Sequence, residues 1–443
     1  MIVTAIPVPS SRERRPQGRP DSRPRVGLGP LRLLAVLAAL GAIALLGYYV
    51  SLPAAAIVYA VGYMLLTWLR PELALFLMFA AAPFPYDLGG GPVKMALAEI
   101  NLVLAAPVLF IRTIARRRRF VHSPIKWPVL AYFAVCVISS VIHGITNEGI
   151  VSMAQMALYM ILAVFVFSSC VRENRLYYAA FYGLLFSAAA VAVLAVATRQ
   201  SYVLGVHKNA VGTNLAYAVI VCGELWLAEP RRSHKRLLGL LGCLLVGGLV
   251  FSLSRGAWVG AAAGLAVITA MRRQFKLLLP GALLAGMVIA VFWQLLPRHD
   301  QEYATALGSG AYNVQTRLVS IEYAMRYFQT SPVLGVGVGL RKQYDATNVI
   351  VSTLAETGYL GLLTFLSIFV AFGTSVWRAR GRLRIGDPLF SLLAIGLALM
   401  VCQFLHGCVD HYWSRVLLVV WGAAGMAIYA RGVTLRGGGR VAE

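Results

Sequence analysis

Charged residues are scarce in this chain. Only 13% of its 443 residues are charged, and just 17 are acidic. A soluble domain carries about 25% charged residues, whereas here 59% of the residues are hydrophobic. The composition therefore excludes an ordinary soluble domain. It predicts a polytopic membrane protein whose apolar segments, each about 17–25 residues long, cross the bilayer as helices.

Motifs for metal or nucleotide binding are also missing. The sequence has no DxD, no HExxH and no P-loop, and its six cysteines are scattered through apolar segments without metal or disulfide spacing. We expect the cysteines to pack as small hydrophobic residues, and we predict no metal and no cofactor. The net charge of +23 would suggest a nucleic-acid partner in a soluble protein. Here the basic residues flank membrane segments, so no nucleic-acid partner is expected.

Fourteen apolar segments are long enough, or nearly so, to cross a membrane. They span residues 31–50, 53–69, 71–85, 95–113, 127–143, 151–170, 176–198, 209–228, 237–253, 256–272, 276–296, 349–375, 388–407 and 414–430. The sequence thus predicts an all-α membrane protein with about 12–14 transmembrane helices. Its predicted parts are a disordered basic cytoplasmic tail (1–30), N-terminal transmembrane helices (31–296), a large periplasmic loop (297–348), three C-terminal transmembrane helices (349–430) and a cytoplasmic tail (431–443).

Lys and Arg are distributed unevenly among the connections between these segments. If the N-terminus is cytoplasmic, alternate connections hold most of the basic residues, among them the run ARRRR at 115–119. Cytoplasmic loops carry an excess of Lys and Arg, so this orientation is favoured, with both termini inside. It places the polar loop 297–348 on the outer face, together with 207–209, 254–256 and 407–415.

The outer loop contains an amphipathic helix. Apolar residues recur there at helical spacing, at Leu318, Ile321, Met325 and Phe328. Glu322 and Arg326 are four residues apart and can form an ion pair on one turn. Arg317 has no such local partner, which makes it the better anion-binding candidate. Arg326 and Lys208 are further candidates. Tyrosines of the loop offer flat faces suited to sugar stacking, so Tyr323 and Tyr344, together with Asn348, are candidate glycan contacts. The role of interface anchors explains these tyrosines equally well.

Other ionisable residues are predicted at the same face. Arg255 lies between two apolar segments with almost no loop, where a charge is costly and suggests a function; snorkelling to the interface is an equal alternative. His406 and Asp410 are four residues apart, and a histidine oriented by a carboxylate can act as a general base. A polar cap at the membrane interface explains them as well. His411 and Glu356 are the other candidate bases.

Four sequence pieces carry information when they are taken together. They are HKNAVGTNLAYA (207–218), SLSRGAWVG (252–260), QTRLVSIEYAMRYFQTSPVLGVGVG (315–339) and TNVIVSTLAETGYLGLL (347–363). In this order they resemble the O-antigen ligases and Wzy-type polysaccharide polymerases of bacterial inner membranes. The resemblance implies a GT-C-like membrane glycosyltransferase with its active site facing the periplasm. It implies metal-independent transfer of a glycan from undecaprenyl diphosphate to a hydroxyl of an acceptor glycan or lipid. Arg255 and Arg317 would bind the diphosphate.

One position departs from the family pattern. In the ligases a histidine usually precedes the asparagine that corresponds to Asn348, and here that position is Thr347. The departure favours a polymerase of lipid-linked repeat units over an O-antigen ligase that uses lipid A core. Another class of protein remains open, namely a transporter of lipid-linked oligosaccharides or drugs. A transporter would show internal pseudo-symmetry and broken helices, and the single asymmetric loop argues against it. A peptidoglycan polymerase fits the sequence pieces less well.

Overall fold

The described residues of the computed structural model fold into helices joined by loops. They are residues 30–49, 51–84, 95–305, 312–343, 346–410, 412–413 and 416–436. The α-helices are α1 (Pro30–Tyr49), α2 (Leu52–Leu69), α3 (Pro71–Ala81), α4 (Leu97–Ala115), α5 (Lys126–His143), α6 (Asn147–Ala157), α7 (Asn174–Thr198), α8 (Lys208–Ala228), α9 (Arg232–Phe251), α10 (Arg255–Arg272), α11 (Leu278–Leu295), α12 (Arg298–Thr305), α13 (Tyr312–Thr330), α14 (Leu340–Gln343), α15 (Val349–Arg380), α16 (Pro388–Gly407) and α17 (Leu417–Arg436). The all-α prediction is confirmed. Of the two predicted tails, only Pro30 and residues 431–436 are described, and both belong to helices, α1 and α17.

Ten helical segments are long and apolar enough to cross a membrane. They are α2, α4, α5, α6 with its π-helical continuation to Cys170, α7, α8, α9, α15, α16 and α17. Two further apolar helices, α3 and α11, are shorter, and α1 and α10 complete the fourteen predicted segments. The protein is therefore a multi-pass membrane protein by the length and composition of its helices.

Helices α8, α16 and α17 form the centre of the bundle. Most of their residues are buried, whereas α2 and α5 expose much of their apolar surface. Glycines bring the central helices close together. A Cβ at Gly260 of α10 would lie 2.9 Å from Cys402 Sγ of α16, and one at Gly396 would lie 2.6 Å from Ala427 Cβ of α17. This close packing sets the start of α10 beside the end of α16.

The polar segment 297–348 is largely helical where the structure describes it. Helix α13 confirms the predicted amphipathic helix, and Arg326 Nη2 lies 2.6 Å from Glu322 Oε1 as the spacing predicts. The short helices α12 and α14 were not predicted. Helix α12 docks on the end of α11, because Gln301 Nε2 donates to the carbonyl oxygens of Trp293 and Leu296 at 3.1 and 3.0 Å.

Helix α15 is broken at Gly358, whose φ of 64° and ψ of −164° are not helical. The chain after α13 supplies hydrogen bonds to the backbone groups around the break. Val336 N donates to Ala355 O (2.9 Å), Gly337 N donates to Glu356 O (3.1 Å) and Tyr359 N donates to Pro332 O (2.9 Å). Backbone polar groups within a membrane protein need such partners, so the 331–348 segment and α15 form one unit.

The alternating glycines that precede α14 allow this contact. Gly335, Gly337 and Gly339 have φ values of 70°, 99° and 121°, a region that favours glycine. A Cβ at Gly335 would lie 2.3 Å from the backbone of Glu356, and one at Gly339 would lie 2.7 Å from Gly149 N. These glycines therefore let the loop turn tightly against α6 and α15.

Candidate functional site

Several helix ends meet at one end of the bundle, here called the site end. Helices α8, α10 and α15 begin there, and α9 and α16 end there. Contacts tie these ends together: Thr213 of α8 lies against His406 of α16, and Asn348 Nδ2 donates to Cys408 O at 2.9 Å. The N-terminus of a helix carries a partial positive charge. Three such termini at one end favour binding of an anion.

His406 is the centre of a buried polar cluster. It lies in the last turn of α16 and is 3% exposed, and Asp410 is 4% exposed. The distance from His406 Nε2 to Asp410 Oδ2 is 3.7 Å. Thr213 Oγ1 lies 3.5 and 3.4 Å from the two ring nitrogens. The structure thus brings the predicted pair together and adds a threonine that the sequence analysis did not select.

The hydroxyl of Thr213 has a defined role in this cluster. It donates its hydrogen to Asn209 O at 2.7 Å, so towards the imidazole it can only accept. A ring N–H of His406 can therefore donate to Thr213, and the nearby Asp410 carboxylate can orient the imidazole, which is the arrangement of a general base. The next residue, Asn214, is fully buried, and neither polar atom of its amide is hydrogen-bonded within the described residues. A buried amide of this kind can bind an incoming polar group.

Arg255 is held beside this cluster by the short turn between α9 and α10. Residue Leu253 of that turn has a φ of 53°, and Ser252 Oγ accepts a hydrogen bond from Ser254 N at 3.3 Å. Arg255 is the first residue of α10 and is half-buried. The next residue, Gly256, packs on the imidazole, since a Cβ there would lie 3.0 Å from His406 Cδ2. Arg255 therefore stands at the edge of the histidine cluster.

Gly212 seats the α9–α10 turn against α8. A Cβ at this position would lie 2.5 Å from Ser254 Cβ and 2.9 Å from Ser252 Oγ. No real side chain tolerates the first of these distances, so only glycine lets the turn approach α8 this closely. The position of Arg255 thus depends on a residue in the sequence piece HKNAVGTN.

Lys208 joins α8 to the loop helix α12. Its Nζ donates to the hydroxyl of Tyr303 and lies 3.9 Å from the centre of the tyrosine ring. A cation over an aromatic face is favourable. Lys208 therefore positions α12 at the site end. Its ammonium group is already engaged with the hydroxyl and the ring of Tyr303.

Glu356 forms a buried ion pair with Arg341. Its Oε1 accepts from Gly339 N (3.1 Å), Arg341 N (2.9 Å) and Arg341 Nε (3.0 Å), while Oε2 bonds to Arg341 Nη2. Burial disfavours the charged guanidinium, but the Glu356 carboxylate outweighs this effect and raises the pKa of Arg341. Arg341 also lies 4.9 Å from the ring centre of Trp413. Because both carboxylate oxygens of Glu356 already accept hydrogen bonds, this residue is better suited to anchor the loop segment than to act as a general base.

Three of the predicted site residues, Arg317, Tyr323 and Arg326, lie on α13. Helix α13 packs on α15, and Phe328 and Tyr359 meet edge to face at 5.1 Å. Arg326 is exposed, and its guanidinium also lies 5.7 Å from the ring centre of Tyr323. Arg317 is half-buried. Within the described residues, no hydrogen bond or ion pair connects it to the His406 cluster.

Asn348 is confirmed as the N-cap of α15, since its Oδ1 accepts from Ile350 N and Val351 N at 3.0 and 3.2 Å. His411 and Tyr344 lie outside the described residues, so their predicted roles stay predictions.

Thr213, Gly212 and Arg341 were missed by the sequence analysis. The only signal for Thr213 was a polar residue inside an apolar segment, and Arg341 gave none.

Residues 240–366 match the family model Wzy_C, described as O-antigen ligase. The resemblance to the O-antigen ligase family is confirmed. By this match residues 240–366 form a domain of the O-antigen ligase type, a family of membrane glycosyltransferases. The matched segment runs from α9 through the break in α15 and contains Arg255, Arg317 and Glu356, whereas Lys208, Thr213 and His406 lie outside it. A comparison with curated proteins gives no match.

Proposed function

We propose that this enzyme transfers a glycan from undecaprenyl diphosphate to a hydroxyl acceptor, and that it polymerises lipid-linked repeat units. The observation that carries the proposal is the meeting of α8, α10 and α16 at the site end. There a histidine paired with a carboxylate lies next to the residue that follows Arg255. A general base beside an anion-binding arginine suits attack on a sugar with a diphosphate leaving group.

The proposed step has one bond formed and one broken. The acceptor hydroxyl oxygen attacks the anomeric carbon while the bond from that carbon to the diphosphate oxygen breaks, and the undecaprenyl diphosphate leaves with the electron pair. His406 takes the hydroxyl proton, and Asp410 and Thr213 stabilise the imidazolium. Attack opposite to the leaving group inverts the anomeric carbon. A positioned base of this kind contributes roughly 10²- to 10⁴-fold to the rate.

The departing diphosphate needs positive charge. Arg255 and the N-terminus of α10 supply it at the same point, since Arg255 is the first residue of that helix. A guanidinium can hold phosphate oxygens with two parallel hydrogen bonds. Arg317, in the matched segment, is proposed as the second diphosphate contact. Lys208 lies near the start of α8 and adds to the field at this end.

The charge pattern supports a periplasmic position for this site. The arginine runs of the sequence lie at the opposite end of the bundle, which the excess of basic residues in cytoplasmic loops assigns to the cytoplasm. The site end would then face the periplasm of a bacterial inner membrane. A lipid-linked donor is available there without a nucleotide.

Polymerase and ligase differ in the acceptor. Thr347 in place of the histidine expected from the resemblance favours the polymerase, while the description of the matching family favours the ligase. Supplying the purified enzyme with each acceptor separates the two. A polymerase extends lipid-linked repeat units into a ladder of products, and a ligase joins one glycan to lipid A core.

Reconstituted enzyme with a labelled undecaprenyl-diphosphate glycan tests the proposal. Replacing His406 with Gln is expected to lower the rate by roughly 10²-fold or more, and replacing Arg255 with Ala by roughly 10²- to 10³-fold. Arg298→Gln, which removes an exposed arginine from α12, serves as the matched control. Near-normal product from His406→Gln and Arg255→Ala would refute the proposed site. Transport of the labelled lipid without new glycosidic bonds would favour a transporter instead.

A further inference from the structure

A buried glutamine lies one helical turn further into the bundle than His406. Gln403 precedes His406 by three residues on α16, so the two side chains share one face of that helix, and Gln403 is fully buried. Its Oε1 accepts a hydrogen bond from the hydroxyl of Tyr217, which follows Thr213 by one turn on α8. Its Nε2 donates to Tyr412 O at 2.7 Å. The amide of Gln403 therefore connects α8 to the turn that follows α16.

That turn carries Asp410, and side chains hold it on both sides of this residue. Before Asp410, Cys408 O accepts a hydrogen bond from Asn348 Nδ2 at 2.9 Å. After it, Tyr412 O accepts from Gln403 Nε2. Tyr412 is itself buried, so the chain bends back into the bundle after Asp410. A buried carbonyl oxygen in a membrane protein needs a partner from the protein, and Gln403 supplies it.

The position of this turn sets a distance on which the proposed base depends. Asp410 Oδ2 lies 3.7 Å from His406 Nε2, whereas an N–H···O hydrogen bond spans about 2.7–3.2 Å between the heavy atoms. A movement of the turn by about 0.5 Å towards the ring would complete this bond, and a movement away would lose the contact. The orientation of the imidazole is therefore sensitive to small shifts of the turn.

We propose that Gln403 is a positioning residue for glycan transfer and that it acts on His406 through Asp410. The two hydrogen bonds of its amide tie the Asp410 turn to α8, and α8 is the helix that brings Thr213 to the same imidazole. One side chain thus fixes two neighbours of the ring relative to each other. The inference rests on the proposed function, in which His406 takes the acceptor proton.

Steady-state kinetics of the reconstituted full chain separate this role from a purely structural one. Gln403→Met removes both hydrogen bonds at nearly the same side-chain volume. A misplaced base slows the chemical step without weakening donor binding. We therefore expect kcat for the labelled undecaprenyl-diphosphate glycan to fall about 10- to 100-fold while KM stays unchanged. If Gln403 only satisfies the buried carbonyl, the unfolding temperature falls and kcat of the folded enzyme does not.

Tyr177→Phe is the matched control for the loss of a buried hydrogen bond. The hydroxyl of Tyr177 donates to Phe167 O at 3.0 Å, and its ring contacts Tyr429 of α17. Tyr429 lies near the end of α17, whereas the Asp410 turn precedes the start of that helix. This variant should unfold at a lower temperature than the wild type and keep the wild-type kcat.

A double-mutant cycle tests whether Gln403 acts through Asp410. Asp410→Asn should lower kcat, and adding Gln403→Met to it should cause no further loss, because the carboxylate that Gln403 positions is already gone. Two independent effects would multiply instead. If Gln403→Met unfolds too readily to be assayed, Tyr217→Phe replaces it in the same cycle, since it removes one of the two hydrogen bonds of the amide. Its fall in kcat should be smaller and should likewise vanish in the Asp410→Asn background.

His406→Gln distinguishes a failure of this inference from a failure of the proposed function. If His406→Gln is nearly inactive but Gln403→Met keeps the wild-type kcat, the inference is overturned and the proposed base stands. An equal fall in kcat with and without Asp410→Asn would overturn the inference in the same way, and both criteria apply to Tyr217→Phe where it is used. Near-normal transfer by His406→Gln would remove the proposed base and this inference with it.

Discussion

Replacing Glu356 with Gln is expected to release the 331–348 segment from α15 while leaving the chemistry itself intact. The variant keeps the shape of the side chain but removes the charge that faces Arg341, which is 6% exposed. Removing one partner of a buried ion pair costs about 3–5 kcal/mol. At about 1.4 kcal/mol for each factor of ten, the equilibrium shifts by more than about a hundredfold towards the open segment.

A second substitution distinguishes the effect of the unpaired buried charge on stability from the effect of altered side-chain packing. Glu356→Gln combined with Arg341→Met removes both buried charges, and this double variant is expected to recover most of the lost stability, because no unpaired charge is left in the interior. The exposed pair Glu322–Arg326 is the control. Its members are more than 60% exposed, and Glu322→Gln should cost under about 1 kcal/mol.

Trypsin provides the assay, since Arg341 is buried and becomes accessible for cleavage only when the segment opens. The rate of cleavage there, measured with the thermal unfolding temperature and with glycan transfer at low temperature, gives three readouts for each variant. Glu356→Gln should be cut faster and unfold earlier while retaining transfer in the cold. A variant with wild-type trypsin resistance and unfolding temperature but no transfer would show that Glu356 is the base, and the anchoring argument would be wrong.

Substitutions at three other positions test the packing of the bundle. Gly212→Ala puts a Cβ 2.5 Å from that of Ser254, so the α9–α10 turn must shift and glycan transfer should fall by up to about a hundredfold at normal protein levels; wild-type rates would contradict this. Arg272→Ala leaves Glu224 buried without its partner and should cost about 3–5 kcal/mol in thermal unfolding, so an unchanged unfolding curve would count against it. Asn348→Ala removes the cap of α15 and should cost about 1–2 kcal/mol. Asn348→Asp keeps the acceptor oxygen, and it should lose clearly less than the alanine variant.

The helices could be predicted because a membrane imposes a long apolar run on each of them. Hydropathy alone gave segments close to α5, α8 and α16, and helical spacing gave α13 with its Glu322–Arg326 pair. The cap at Asn348 followed from its position before an apolar run. These features depend on residues that are close together in the sequence, so a local pattern was sufficient.

Contacts between distant parts of the chain could not be predicted in this way. Arg341 meets Glu356 only because α15 breaks at Gly358 and the preceding loop fills the break, and no periodicity reports a contact across such a turn. Thr213 reaches His406 because α8 and α16 are neighbours in the bundle, although the two residues are far apart in the sequence. Hydropathy and helical spacing do not report which helices pack together, so only the structure identifies the members of the histidine cluster.

Helices α8 and α10 are fastened together far from the histidine cluster. Two nitrogens of Arg272 lie 2.8 and 2.6 Å from the carboxylate oxygens of Glu224, and both side chains are buried. Glu224 and Thr213 are separated by eleven positions of α8, which is about 16 Å of helix. A swing of only about 4° around that clamp would widen the gap at Thr213 by roughly 1 Å, by the same helix rise. Any parting of the two helices at the histidine cluster therefore has to turn about this ion pair or break it.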